Sequence, residues 1–308
     1  MNRFLFNLLL WLLLLLYMPV PVQVHAAGTW KDSAARAPVE KLVMDDVSQE
    51  ELEFIGSLEG LQELEVVIIN DGGINLTPLA NLQELQELNI SLGGKCGRKT
   101  DLSQLGELKQ LKKLTIFGYS GDLSFIHGME NLQELKIQEA YINDLSFIKG
   151  LTELRYLTLA CVNDSDFAYL DGMTKMNMIS IQGYSMRNFE CLGEMKYLTS
   201  VRLADVGMGK ETVYDIDLNV LAEAGSLSEL FIQGMHITDV TPISRLKNLE
   251  EIVFVDTGIT NVNELKDLEN LTNLEIYGYG LYSSIQESDF PGLERFIAVR
   301  DIPDCYCP

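Results

Sequence analysis

From residue 39 onward, leucine-like residues recur in the spelling L-x-x-L-x-x-L-x-L, and each copy contains a short alternation such as Leu157-Thr158-Leu159. Alternation with period 2 predicts a short strand with one apolar face. Aligning the copies on one leucine-like column picks out Leu42, Leu64, Leu88, Leu114, Leu135, Leu157, Ile179, Val201, Leu230, Ile252, Leu274 and Phe296. The steps between these key residues are 22, 24, 26, 21, 22, 22, 22, 29, 22, 22 and 22. Seven of the eleven are equal, which marks tandem structural repeats. One such strand cannot bury its apolar face alone. Stacked in register, the strands form a parallel sheet whose inner face meets the apolar residues of the return segments. We therefore expect an α/β fold: a single-domain solenoid over residues 39–300, with a curved parallel sheet of about twelve short strands. The returns are expected to be short helices or irregular segments.

The returns carry a column of their own. Nine positions after the key residue stand Asp144, Asp166, Asn188, Asp239, Asn261 and Ser283, while a unit one residue shorter puts Asp122 there and insertions displace Asn75, Asp101 and Asp217. Asp, Asn or Ser before a short apolar run caps a helical turn through backbone N–H groups. Calcium is the alternative use of a carboxylate column, but several members are neutral, so capping is the expectation and no metal site is assigned. In the first unit, about residues 39–57, Ser48-Gln49-Glu50-Glu51 spells a capping box and predicts a true helix that shields the N-terminal edge of the sheet.

The pattern over residues 39 to about 300 resembles the leucine-rich repeat family, specifically its bacterial 22-residue type, as in internalins. Ile142-Asn143-Asp144-Leu145-Ser146-Phe147-Ile148-Lys149-Gly150-Leu151 and Ile237-Thr238-Asp239-Val240-Thr241-Pro242-Ile243 carry that resemblance. It implies a surface or secreted protein that binds a host or neighbouring-cell partner. One departure concerns the asparagine that the family places five residues after the key residue. Here Tyr119, Ala140, Val162, Tyr184, Val206, Met235, Thr257 and Tyr279 stand there instead. The turn after each strand must be closed another way, and Gly118, Gly183, Gly234 and Gly278 offer the backbone freedom for it.

Residues 1–26 read as an export signal. Arg3 precedes a run from 4 to 18 that is apolar except for Asn7, and Val24-His25-Ala26 fits a small-residue cleavage site. An uncleaved anchor is the rival reading and the only route by which we expect membrane contact. Residues 27–38 read as a flexible lead-in and 301–308 as a C-terminal tail. The expected location is secreted or cell surface, in a bacterial chain.

Composition narrows the partner. A hydrophobic fraction of 47% with 22% charged residues excludes wholesale disorder. The net charge of −22, from 45 acidic and 23 basic residues, excludes nucleic acid and disfavours an anionic membrane. The positions flanking and interleaving the apolar pair of each strand face away from the core. In the C-terminal repeats these are Phe231, Val253, Val255, Tyr277, Ile297 and Val299, with Glu229, Glu251, Glu275 and Asp256 beside them. That series predicts an apolar binding patch with an acidic rim on the concave face, suited to a basic or amphipathic protein or peptide. Suitability of β-branched and aromatic residues for strands is the structural alternative. Tyr156 is the outlying aromatic. A glycan is the competing ligand, contacted by Tyr156, Tyr277 and the flanking carboxylates. Nearer the N-terminus the same positions read Glu63, Glu65, Glu87, Asn89, Lys113, Thr115 and Lys136, an ordinary solvated surface.

Two insertions stretch the repeat. Gly93-Gly94-Lys95-Cys96-Gly97-Arg98-Lys99 gathers three positive charges, and 206–225 contains Lys210, Glu211 and Tyr214. An enzyme is not the expectation and no cofactor is assigned: beyond the export signal only His127 and His236 remain, following different strands, and no hydroxyl or thiol is matched to a base. A hydrolase stands as the remote alternative. Among the cysteines, Cys96, Cys161, Cys191, Cys305 and Cys307, no internal pairing is legible, which leaves intermolecular coupling through Cys305 or Cys307. The sequons at Asn75, Asn89, Asn163 and Asn270 read as accidents of an Asn-rich repeat.

Overall fold

The computed structural model describes residues 39–69, 73–93, 96–207, 215–259, 261–278 and 287–299. The expected export signal, lead-in and C-terminal tail lie outside the described residues, as do Lys95, Lys210, Glu211, Tyr214, Tyr279, Ser283, Cys305 and Cys307. Contacts divide the chain into two compact units, whose described parts are 39–164 with 169–175, and 165–168 with 176–299.

The N-terminal unit contains β1 (Lys41–Met44), β2 (Glu63–Ile68), β3 (Glu87–Leu92), β4 (Lys113–Phe117), β5 (Glu134–Gln138), β6 (Ile142–Asp144) and β7 (Tyr156–Asp164). All pairings are parallel, in the order β1-β2-β3-β4-β5-β7, with the short β6 also on β7. The key column is the physical register: Leu42 faces Leu64, Leu64 faces Leu88, Leu88 faces Leu114, Leu114 faces Leu135, and Leu135 faces Leu157. From Leu64 onward these leucines are at most 1% exposed. Burial on that scale contributes about 1.5–3 kcal/mol per side chain and fixes the register, because a one-residue slip would turn the whole column to the other face.

The C-terminal unit repeats this with β8 (Met178–Gly183), β9 (Ser200–Asp205), β10 (Asp215–Ile216), β11 (Glu229–Gln233), β12 (His236–Ile237), β13 (Glu251–Val255), β14 (Asn273–Tyr277) and β15 (Arg295–Val299). Its sheet runs β8-β9-β11-β13-β14-β15, again parallel. The 29-residue step does not disturb the register, since Val201 still faces Leu230. Within that step lies β10, which pairs with β12 in a two-stranded parallel sheet.

The returns are mostly single 3-10 turns such as Ser124–Ile126, Ser146–Ile148 and Thr241–Arg245. The first return is a helix, α1 (Gln49–Ile55), and its capping box is complete: Glu51 N–H donates to Ser48 Oγ while Ser48 N–H donates to Glu51 Oε2 at 2.9 Å. This helix begins the row of return segments. The space for a Cβ on Gly56, at its C-terminal end, is already filled by the Pro78 backbone of the next turn.

The carboxylate column acts as caps, one position earlier than a helix N-cap in most repeats. Ser103, Ser124, Ser146 and Thr241 donate their N–H groups at 2.8–2.9 Å to Asp101, Asp122, Asp144 and Asp239, each two residues upstream. The column is also linked sideways: Asn188 Nδ2 donates to Asp166 at 2.9 Å, and Asn261 Nδ2 to Asp239 at 2.6 Å.

In several repeats the residue four positions past the key residue is left-handed. Gly118, Glu139, Cys161, Gly234, Asp256 and Gly278 all have positive φ there. At Gly234 a Cβ would sit 2.1 Å from the Asp205 carbonyl, so the close approach of successive backbones excludes a side chain as well. Gly183, expected in this role, is instead the last residue of β8. The position five past the key residue is largely a buried column, with Ala140, Val162, Met235 and Thr257 at most 5% exposed. An amide ladder does exist, but four residues before the key residue: Gln110, Asn131, Asn248 and Asn270 each donate to a carbonyl of the preceding repeat at 2.6–2.9 Å.

Candidate functional site

The outward face of the C-terminal unit is built from three columns that the register aligns across the strands. The first reads Ser200, Glu229, Glu251, Asn273 and Arg295; the second Arg202, Phe231, Val253, Glu275 and Ile297; the third Ala204, Gln233, Val255, Tyr277 and Val299. Alternation along each strand puts these opposite the inward pairs such as Ile252 with Phe254. In-register neighbours are separated by about 4.8 Å, so side chains in one column touch.

The apolar members form a cluster of their own. Val253, Val255 and Tyr277 make its buried centre, and the partly exposed Phe231 and Ile297 pack against it. Here the solvent-facing expectation is corrected. Val255 is fully buried, Tyr277 is 3% exposed and Glu275 5%, so the middle of the patch is a packed floor. Part of this face is tied together by polar pairing. Tyr277 donates its hydroxyl to Glu275 Oε2 at 2.6 Å, and Arg295 Nε donates to Glu275 Oε1 at 2.8 Å. Val299 stays 37% exposed at one side and Asp256 is exposed in the turn after β13. Tyr156 belongs to the N-terminal unit, is 43% exposed and is not among the residues packed on this cluster.

The charges are unevenly satisfied. Glu229 accepts from Ser200 Oγ at 3.0 Å and faces Arg202 Nη2 at 3.8 Å. The Arg202 guanidinium also lies 5.8 Å from the centroid of the Phe231 ring, within cation–π range. Glu251 is half-buried between Glu229 and Asn273. Burial raises its carboxyl above the ordinary range, Glu229 and Glu275 add to the rise, and Arg202 and the Asn273 amide oppose it. Among the described residues no cation forms an ion pair with Glu251, and the buried Asn273 Oδ1 accepts no hydrogen bond. Arg202, Arg295 and Asn273 were missed by the sequence reading. The repeat alignment itself could have found them, since Arg202 shares a column with Phe231 and Arg295 with Glu229 and Glu251.

The outward face of the N-terminal unit is different. Lys41 meets Glu63 at 2.6 Å and Lys113 meets Glu87 at 2.6 Å. Hydrogen bonding to these carboxylates raises both lysines. Lys136 is lowered by burial, with Glu134 acting against it. That face is a compensated charge ladder, and such exposed pairs contribute at most about 1 kcal/mol each.

Elsewhere, His236 Nδ1 lies 3.0 Å from Asp215 Oδ1 at the surface of the β10–β12 sheet. Cys191 is buried with its thiol donating to the Phe167 carbonyl at 3.3 Å, while partial burial raises the thiol of Cys161 within β7. Among the described residues no group of three or more His, Cys, Asp or Glu is placed to hold a metal ion. Nor is any helix among them long and apolar enough to cross a membrane.

No protein-family model matches the chain, and no curated protein matches it. Solved structures do. An internalin (inlF) from Listeria monocytogenes is similar at 20% identity, over 87% of this chain and 84% of that one, with a TM-score of 0.51. A leucine-rich repeat protein of Leptospira interrogans is similar at 18% identity, over 90% and 75%, with a TM-score of 0.55. The plant peptide hormone receptor RGFR1, in complex with RGF2, is similar at 21% identity with a TM-score of 0.60. That match covers 86% of this chain and 45% of the receptor.

Proposed function

From the leucine-rich repeat fold that this chain shares with those proteins, we propose that it is an exported interaction module, secreted or held at the cell surface. It binds a protein or peptide on the outward face of its C-terminal unit. The observation that carries this reading is the second hydrophobic cluster, Val253, Val255 and Tyr277 flanked by Phe231 and Ile297, on a face opposite the core. A sheet needs only one apolar face to fold, and a partly exposed apolar rim beside carboxylates is the composition of an interface. A rigid preformed surface pays little ordering cost on association. The plant receptor matched above is seen with a peptide, which supports a protein or peptide partner over a glycan. The apolar run at 4–18 and the Val24-His25-Ala26 site support export.

The test substitutes the rim rather than the floor. Phe231→Asp with Val299→Asp leaves the packed centre in place. It should abolish recovery of the partners that the wild-type protein retains from a cell-surface extract, with unchanged circular dichroism. Undiminished recovery of the same partners by the double variant rejects this face.

A further inference from the structure

We infer that Glu251 is the seat for a lysine or arginine of the partner, so that the face takes a segment pairing one cationic side chain with apolar neighbours. This rests on the binding reading above and narrows it. Across the three columns the ionised groups are Glu229, Glu251 and Glu275 against Arg202 and Arg295. Glu275 is held by Arg295 and Tyr277, and Glu229 by Ser200 and, more loosely, by Arg202. Glu251 stands between them with like charges on both sides and no ion-pair partner among the described residues.

One acceptor here lacks a donor, Asn273 Oδ1, and in register with it the Glu251 carboxylate has a hydrogen bond from the Asn273 side chain but no ion pair among the described residues. Ammonium and guanidinium groups carry donors only, three and five N–H respectively, so they satisfy acceptors without adding any. A neutral hydroxyl or amide would bring further acceptors to a face already rich in them. Phe231 and Val253 occupy the next column, so the aliphatic stem of the incoming residue lies on an apolar floor. The whole chain at −22 draws such a segment in, and the half-buried position of Glu251 makes the contact local rather than a property of the bulk field.

The probes are three dye-labelled synthetic peptides of twelve residues: alternating lysine and leucine, the same with glutamate for lysine, and the same with glutamine. Fluorescence anisotropy is read with the wild-type chain, Glu251→Gln, Glu59→Gln as a single-charge control in the N-terminal unit, and Phe231→Asp with Val299→Asp. The lysine peptide alone binds the wild type. Glu251→Gln weakens it about tenfold, corresponding to one close charge pair of roughly 1.4 kcal/mol. Glu59→Gln leaves it unchanged. Wild-type binding also fades on acidification while ordinary carboxylates are still ionised, and that early loss is missing in Glu251→Gln. Equal weakening by Glu251→Gln and Glu59→Gln, or no weakening by either, overturns this inference, as does a lysine peptide that fails to bind. If the rim variant abolishes binding and Glu251→Gln does not, only this inference falls. If the rim variant binds as wild type, the parent reading falls with it.

Discussion

Tyr277 and Glu275 sit two residues apart on one strand, both at least 95% buried, and their side chains meet at 2.6 Å on the face that points away from the leucine core. A buried carboxylate so placed needs each of its donors, and here they are Tyr277 and Arg295. Tyr277→Phe keeps the shape and removes one donor. Hydrogen bonds to charged groups contribute about 1.5–3 kcal/mol, and urea unfolding should show a loss in that range. A change below about 0.5 kcal/mol would mean that Glu275 is solvated and the floor is open.

The left-handed turn position predicts opposite signs in two repeats. Gly234→Ala forces a Cβ into contact with the Asp205 carbonyl at φ +70°, and it should destabilise by at least about 1 kcal/mol. Glu139 occupies the same position at φ +48° with its side chain exposed, so Glu139→Gly relieves strain and should be neutral to stabilising by up to about 1 kcal/mol. Thermal melts of both variants check the pair, and equal losses would contradict the shared role.

Asp101, Asp122 and Asp239 have lowered carboxyl pKa values. At Asp101 and Asp122 the largest cause is the backbone N–H of the serine two residues on; at Asp239 it is the Thr241 hydroxyl. A depressed folded pKa means stability that is present above the ordinary Asp value and is lost as pH falls through the lowered one. Asn at all three positions should flatten the acid limb of the melting temperature against pH. An acid limb identical to wild type would remove the capping role.

Glu251 has the opposite sign. Its folded pKa is raised, so ionising it works against the fold above the ordinary Glu value. Glu251→Gln should therefore raise the melting temperature at neutral pH, and the gain should vanish below the ordinary carboxylate range. A neutral-pH loss would show that Glu251 is paired within the chain.

The repeat, the key column and the capping box were legible because each depends on spacing within the chain. Leu114 and Leu157 are buried where period 2 and a 22-residue step put them, and Ser48 caps α1 through Glu51. What was not legible depends on contacts between repeats. Nothing local marks Glu139, Cys161 or Asp256 as left-handed; the next repeat's backbone imposes it, as when Asp256 N–H donates to the Tyr277 carbonyl. The amide ladder lay at a different repeat position from the expected one, at Asn131, Asn248 and Asn270. At the candidate site the residues were named but their exposure was not foreseen. Val255 and Tyr277 cluster with Phe231 and Ile297, which come from strands about 22 residues away along the chain, and such neighbours are not marked locally in the sequence.

The measurement that reaches the proposed function most directly is hydrogen–deuterium exchange and side-chain footprinting of the chain, alone and saturated with a captured partner. The account predicts new protection at Phe231, Glu251, Ile297 and Val299, with β2 and β3 unchanged. Protection confined to the return turns, or to the Lys41–Glu63 and Glu87–Lys113 ladder, would contradict it.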